Sequence, residues 1–213
     1  MKYIINKTQQ RFNKWSKKYD KSILQKVIFN DSHDMIIKTL EPILDTRLKI
    51  LDVACGTGKF AFKITKQYNH IKVSGVDFSP KMIAQARKKL SKWPNSNIDF
   101  TISSADTIPH PDNSFDIVIC THAFHHFPNQ VNVLKEMHRV LKPNGRLMII
   151  DGCKDRKIGS FIFGCIVRRV EKNVHHMKMD EIKDAMYFRG FYRIKQKIFN
   201  GLIPLLLTVG IKC

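Results

Sequence analysis

From residue 46 onward, short apolar runs alternate with stretches in which apolar residues recur every three or four positions. Leu48-Lys-Ile-Leu-Asp-Val53 reads as a strand stopped by the turn Gly56-Thr-Gly58, and Phe60, Ala61 and Ile64 mark the helix that follows. Ile71 to Val76 is the next strand, Pro80 opens a helix running to about Leu90, and Ile98 to Ile102 is a third strand. Phe115 to Cys120 is a fourth strand and Asn129 to Leu141 a helix. Arg146 to Ile150 is a fifth strand behind the turn Pro143-Asn-Gly145. Strands alternating with helices predict right-handed βαβ units and a doubly wound parallel sheet covered on both faces.

The flanks depart from this rhythm. In residues 1–45, Phe12, Trp15 and Tyr19 recur at helical spacing, and Ile23, Leu24, Val27 and Ile28 continue an apolar face among lysines. A helix packed on the sheet and a basic amphipathic lid both fit that pattern. After residue 151, helices over Gly159 to Val170 and Asp180 to Arg189 lead through Gly190 into a strand, Phe191 to Phe199. Asn200-Gly201 then reads as a tight hairpin into Leu205 to Val209. The hairpin adds one antiparallel strand to an otherwise parallel sheet.

The length, 213 residues with 43% apolar, suits a single domain and excludes a disordered chain or a disulfide scaffold. The longest apolar stretches, Phe161 to Val167 and Gly201 to Ile211, fall short of the roughly 20 residues of a membrane-spanning helix. With no secretory signal pattern after Met1, the expected location is the cytoplasm. Five cysteines without a CxxC pair read as reduced thiols and not as a zinc site. The net charge of +19 allows a nucleic-acid partner, but the excess is spread along the chain and does not favour one.

The densest chemistry lies at Leu51-Asp-Val-Ala-Cys-Gly-Thr-Gly58, a strand-to-helix junction where glycines let a ligand approach main-chain N–H groups. Gly56, Gly58 and Ala61 satisfy the loose dinucleotide pattern GxGxxA. Two acids argue against a pyrophosphate there. Asp52 precedes the glycines, where it would repel an anion and welcome an ammonium or sulfonium, and Asp77 ends the second strand, where a carboxylate can accept both ribose hydroxyls. A nucleoside with a cationic tail fits better than NAD.

These segments, with GVDFSPKMIAQAR, SADTIPHPDNSFDIVIC and LKEMHRVLKPNGRLMIID, resemble the class I S-adenosylmethionine-dependent methyltransferases, and within them the methyltransferase type 11 group that includes the ubiquinone and menaquinone biosynthesis C-methyltransferases. The resemblance runs continuously over about residues 47 to 151. It implies a Rossmann-like seven-stranded sheet in one domain, with residues 1–45 as a helical lid, 46–151 as the cofactor core and 152–213 as acceptor-side helices and hairpin. It implies that Asp52, Ala54, Gly56 and Gly58 hold the methionine end of S-adenosylmethionine and that Asp77 takes the ribose hydroxyls. Phe78 and Met82 would flank the adenine, Ala105 and Asp106 contact it, and Thr121 and His122 line the floor beneath the sulfonium. Tyr19, in a segment ending Tyr-Asp, would close over the cofactor; a core aromatic is an equal reading.

The chain has Cys120-Thr-His-Ala123 where many amino-methylating enzymes carry Asn or Asp-Pro-Pro-aromatic. That departure argues against methylation of adenine or glutamine nitrogens, and Cys120 reads as a buried strand thiol. His125 and His126, close after His122, are candidate general bases for a phenol or hydroxyl, or else loop packing residues. With no carboxylate or cysteine in sequence to complete a ligand set, no metal is expected. His175 and His176 would cover the acceptor or lie on the surface. The resulting expectation is methyl transfer to a small apolar or amphiphilic acceptor, a quinol, phenol or lipid headgroup. Peripheral membrane contact is compatible with it, and no obligate protein partner is evident. An RNA methyltransferase and a non-catalytic cofactor-binding scaffold are the rival readings.

Overall fold

The computed structural model describes residues 9–13, 23–93, 97–167, 169, 174–201 and 203–213. Trp15 and Tyr19, and the side chains of Ile23, Leu24, Val27 and Ile28, lie outside what is described. Seven strands form one sheet in the order β3-β2-β1-β4-β5-β7-β6. The chain divides into two compact units after Pro109.

The first unit holds helix α1 (Ile23–Leu40), β1 (Lys49–Val53), α2 (Lys59–Gln67), β2 (Lys72–Asp77), α3 (Pro80–Leu90) and β3 (Ile98–Ile102). β1 pairs in parallel with β2, and β2 with β3. Four successive residues of β1 are buried, as expected of a strand covered on both faces, whereas β3 alternates at the sheet edge. Helix α3 starts where Ser79 Oγ accepts the Met82 N–H at 3.2 Å and Pro80 occupies the first turn. It ends on Arg87, Lys88 and Lys89, which complement the helix dipole.

The second unit holds β4 (Phe115–Thr121), a 3₁₀ turn (Phe124–His126), α4 (Gln130–Val140), β5 (Leu141–Gly152), α5 (Lys157–Phe161), α6 (Met179–Tyr187), β6 (Phe191–Phe199) and β7 (Leu205–Lys212). β4 and β5 are parallel, and β7 runs antiparallel to both β5 and β6, which supplies the antiparallel strand the hairpin predicted. β6 alternates between buried or half-buried and exposed positions, with Arg193, Lys195 and Lys197 facing outward, an arrangement that blunts an edge strand.

Three expectations are corrected. β5 begins at Leu141, not behind the Pro143–Gly145 turn; Asn144 at φ 62° and a register shift absorb that turn as an irregularity within the strand. The Asn200-Gly201 hairpin is not tight, because Phe199 pairs with Leu205 and leaves five residues between them. The helix expected over Gly159 to Val170 is α-helical only to Phe161 and continues as a π-helix, Ile162–Val167.

Lys212, near the chain's end, is 9% exposed and donates to Asn113 Oδ1 at 2.9 Å and to the carbonyls of His138 and Leu141 at 2.8 Å. It thereby caps the end of α4, where unpaired carbonyls and the negative end of the dipole gather. Lys212→Met should keep the stem packed but strand these acceptors. The expected cost is about 1.5–3 kcal/mol, the range for a hydrogen-bonded charged group. A chemical denaturation midpoint unchanged from wild type would contradict this role.

Candidate functional site

At the carboxyl end of β1 the backbone turns left-handed three times in five residues: Ala54 (φ 60°), Gly56 (φ 55°) and Gly58 (φ 77°). Cys55 N–H donates to the Val76 carbonyl at 3.0 Å and ties the turn to β2. Asp77, ending β2, closes the loop with its carboxylate. Oδ2 accepts the Gly56 N–H at 2.9 Å and Oδ1 the Ser79 N–H at 2.8 Å.

Two carboxylates are therefore buried together, Asp52 at 3% and Asp77 at 6% exposure. Burial, and then the charge of Asp77, pushes the Asp52 carboxyl up to about 8. Burial raises Asp77 to about 6, against the pull of the Ser79 and Gly56 N–H groups. A buried acid so raised is a ready receptor for a cation, which would restore the ionised form. Each Asp77 oxygen uses one lone pair on the backbone and keeps capacity to accept a hydroxyl. The donor set fits a ligand with an ammonium at one end and a ribose diol at the other.

The remaining predicted residues of this unit follow β2 and β3. Phe78 is half-buried; its carbonyl accepts from Gln9 Nε2, and its ring meets Phe12 edge-on at 5.9 Å. Asn13 Oδ1 accepts from Ser79 Oγ at 2.7 Å. Residues 9–13 thus pack beside the end of β2, as a segment of the amino-terminal region would to cover that edge. Met82 is 1% exposed on the core side of α3, Ala105 is buried and Asp106 exposed in the loop after β3. Gly58 has a second reason to be glycine. A Cβ there would lie 2.4 Å from Phe100 Cζ, so the missing side chain makes room for an aromatic ring.

The second unit gathers imidazoles at the ends of β4 and β5. Thr121 ends β4 and His122 follows it in the left-handed region at φ 53°. Burial lowers His122 to about 4, with His125 and His176 adding to the drop and Asp151 opposing it. His125 Nδ1 lies 2.6 Å from Asp151 Oδ1, and the His125 backbone N–H donates to Oδ2 at 2.8 Å. His176 Nε2 lies 3.6 Å from Asp151 Oδ1. The His176 ring stacks on His125 at 4.0 Å and 12°, and His126 meets His125 at 4.0 Å and 45°. Gln130 Nε2 donates to the Phe124 and His175 carbonyls, each at 2.9 Å, locking the segment carrying His176 to the 3₁₀ turn.

Two expectations change here. A carboxylate does lie against the histidines, since β5 brings in Asp151 from 26 residues beyond His125. His176 is not a surface residue but 3% exposed, while His175 is exposed. Asp151 was the residue missed; its available signal was an acid ending the apolar run Leu147 to Ile150 at the strand's carboxyl end. His125, Asp151 and His176 offer atoms within 4.8 Å of one another. A shared ion would have to lie in the plane of both rings at about 2 Å, and stacked rings have no such common point.

Comparison with known proteins places these features in context. A family model described as a methyltransferase domain matches residues 44–189. A demethylmenaquinone methyltransferase of Lactococcus lactis subsp. lactis (strain IL1403) is 37% identical over 148 residues, covering 68% of this chain and 58% of the relative. The chain spans about half the length of the curated relatives it matches. Among solved structures, a SAM-dependent methyltransferase from Aquifex aeolicus superposes with a TM-score of 0.69 at 20% identity, covering 94% of this chain and 98% of that one. A Haemonchus contortus N-methyltransferase solved with S-adenosylhomocysteine gives 0.70 at 17%, covering 85% and 52%.

Proposed function

The chain belongs to the methyltransferase-domain family, within the class I S-adenosylmethionine-dependent enzymes, and from that premise we propose that it moves a methyl group from S-adenosylmethionine to a lipid-like quinol. The observation that carries the cofactor half is the buried pair Asp52 and Asp77 beside a left-handed glycine turn. The acceptor class is supported by the demethylmenaquinone methyltransferases among the relatives.

When bound, S-adenosylmethionine supplies an electrophilic methyl group on a sulfonium. The protein's work is to bind, align and exclude water, and alignment alone is worth about 7–11 kcal/mol. Asp52 receives the ammonium of the methionine end, beside the backbone of Ala54, Gly56 and Gly58. Asp77 accepts the ribose hydroxyls, with Phe78, Met82, Ala105 and Asp106 serving the adenine. His126, whose ring lies 4.0 Å from that of His125, remains a candidate general base beside it.

Asp52 gives this assignment a pH signature. With its carboxyl at about 8, it is mostly protonated at pH 7, and an arriving ammonium drives the proton off. Affinity for S-adenosylhomocysteine should therefore rise with pH, by up to about tenfold per unit below pH 8, and level off above. Without ligand the sign reverses. A carboxyl raised on folding contributes stability that is complete below the unfolded value near 3.8 and is lost as pH rises through about 8. Binding heats measured at pH 7 in buffers of different ionisation enthalpy should report proton release, and none released would remove Asp52 from the ammonium site.

The function itself is tested with methyl-labelled S-adenosylmethionine and a dithionite-reduced 1,4-naphthoquinol bearing a short isoprenoid chain. Label on the quinol ring is expected. Label transferred to RNA in a parallel arm, and not to the quinol, would overturn the acceptor.

A further inference from the structure

Between Asp155 and Glu171 the chain has no acidic residue, while Arg156, Lys157, Arg168 and Arg169 are basic and Phe161 to Val167 is an apolar run. Helix α5 and the π-helix that continues it give this stretch two unlike faces. The inner face is fastened down. Gly159 lies so close to the Cys153 carbonyl and to Pro204 that a Cβ would collide with both, and the Phe163 ring covers Gly152 and lies 5.0 Å from the His176 ring. The outer face is apolar and open. Ile158 is 46% and Phe161 61% exposed, and Cys165, four residues further on, is exposed as well.

Single apolar side chains on a surface are ordinary. Here three follow one another at spacings of three and four along one helical segment, with Arg156, Lys157 and Arg169 exposed at its two ends. The nearest acid, Asp155, is engaged: its carboxylate accepts the Met179 N–H at 3.0 Å. An apolar face margined by cations, with no acid among them, is the composition of a helix that lies in a membrane interface, its apolar side against acyl chains and its cations at anionic headgroups. A nucleic acid would engage the cations but offers Ile158 and Cys165 no apolar medium.

We propose that the outer face of α5 and its π-helical continuation docks on an anionic lipid bilayer. Ile158, Phe161 and Cys165 enter the acyl boundary, and Arg156, Lys157 and Arg169 meet lipid phosphates. The topology of this unit fixes which edge docks. β7 runs antiparallel to both β5 and β6, so the end of β5 and the start of β6 lie at opposite edges of the sheet. The docking face follows the end of β5, on the edge that carries the imidazole cluster. The exposed pair Tyr187 and Phe188 precedes β6 on the other edge, and a bilayer held by the first leaves the second in water.

Flotation of the full chain with lipid vesicles tests this. The protein should rise with phosphatidylcholine vesicles containing about a third phosphatidylglycerol and stay below vesicles of phosphatidylcholine alone, and binding should fall as salt rises. Phe161→Ser should weaken partition by about tenfold, the low end for an aromatic ring returned to water. Arg156→Glu with Lys157→Glu should weaken it by at least about 25-fold, at about fivefold for each basic residue near an anionic surface. Two control variants take matching groups off other surfaces: Tyr187→Ser with Phe188→Ser, and Lys135→Glu with Lys183→Glu on α4 and α6, where both lysines are exposed. Both should stay within about twofold of wild type, since charges beyond a Debye length are screened, and near-ultraviolet circular dichroism confirms that each variant is folded. No flotation with the anionic vesicles, partition unaltered in Phe161→Ser and in the charge reversal, or equal losses in the controls would overturn the proposal. Retention on poly(U) with none on vesicles would overturn it too, and would assign the cations to nucleic acid. No readout here involves methyl transfer, so a failure of docking is separate from a failure of the quinol reading.

Discussion

Replacing Asp77 by alanine should cost the protein its hold on S-adenosylhomocysteine. The substitution removes the acceptor assigned to the ribose hydroxyls and also strands the Gly56 and Ser79 N–H groups that the carboxylate now satisfies at 2.9 and 2.8 Å. Each hydrogen bond to a charged group is worth about 1.5–3 kcal/mol. Losing two to the ligand weakens binding by about 10²- to 10⁴-fold, before any loosening of the glycine turn. Asp77→Asn, which keeps the shape and one carbonyl acceptor, should lose less. Calorimetric titration of both variants, with circular dichroism to confirm folding, measures this. Wild-type affinity in the alanine variant would remove Asp77 from the ribose site.

The second large effect is expected on the fold. Gly58→Ala places a Cβ at φ 77°, where an L-residue costs about 1–2 kcal/mol. It also drives that Cβ to 2.4 Å from Phe100 Cζ and 2.8 Å from Cε1, and overpacking of this kind costs about 1–3 kcal/mol. Phe100 cannot easily retreat. Its ring also fills the space over Gly75, it lies 5.8 Å from the Phe62 ring, and Arg87 donates twice to its carbonyl. The sum, about 2–5 kcal/mol, is a large share of the 5–15 kcal/mol that stabilises a typical domain. Thermal and denaturant unfolding should show it, with cofactor affinity falling as the turn is displaced. A variant of wild-type stability would mean that the Phe100 contact is not rigid.

The sheet was legible because its strands are buried runs with sharp ends. Ile98 to Ile102, Phe191 to Phe199 and the Pro80 helix fall where the apolar pattern and the turn residues put them. Local chemistry misled where the chain carried a turn signal without turning back. Asn144 supplies the left-handed residue of a turn, but pairing of Leu141 with Phe115 keeps β5 running through it. Asn200-Gly201 has the composition of a two-residue hairpin, yet Phe199 and Leu205 pair across five residues. Tertiary pairing outweighs local preference in both.

The site divides the same way. Asp52, Gly56, Gly58 and Asp77 are short-range features of two strand ends, so their spacing alone announces them. The imidazole cluster joins His125, Asp151 and His176 across 51 residues, and each is ordinary in its own stretch of sequence. Asp151 reads as a polar end to an apolar strand, and His176 as one of two histidines before a helix. The parallel pairing of β4 with β5, together with Gln130 bonded to the His175 carbonyl and the His175 N–H bonded to the His125 carbonyl, brings them together. Gly58 shows the converse. Its spacing is explained by ligand approach, while the atom nearest its absent side chain belongs to Phe100.

The central claim is that the Asp52–Asp77 loop binds S-adenosylmethionine and not a dinucleotide. Calorimetric titration of the purified chain with S-adenosylhomocysteine, with NAD in parallel, tests it most directly, because the product analogue is inert and the heat reports binding alone. Saturable one-to-one binding of S-adenosylhomocysteine and no heat from NAD is the predicted result. Binding of NAD, or of neither ligand by folded protein, would contradict it.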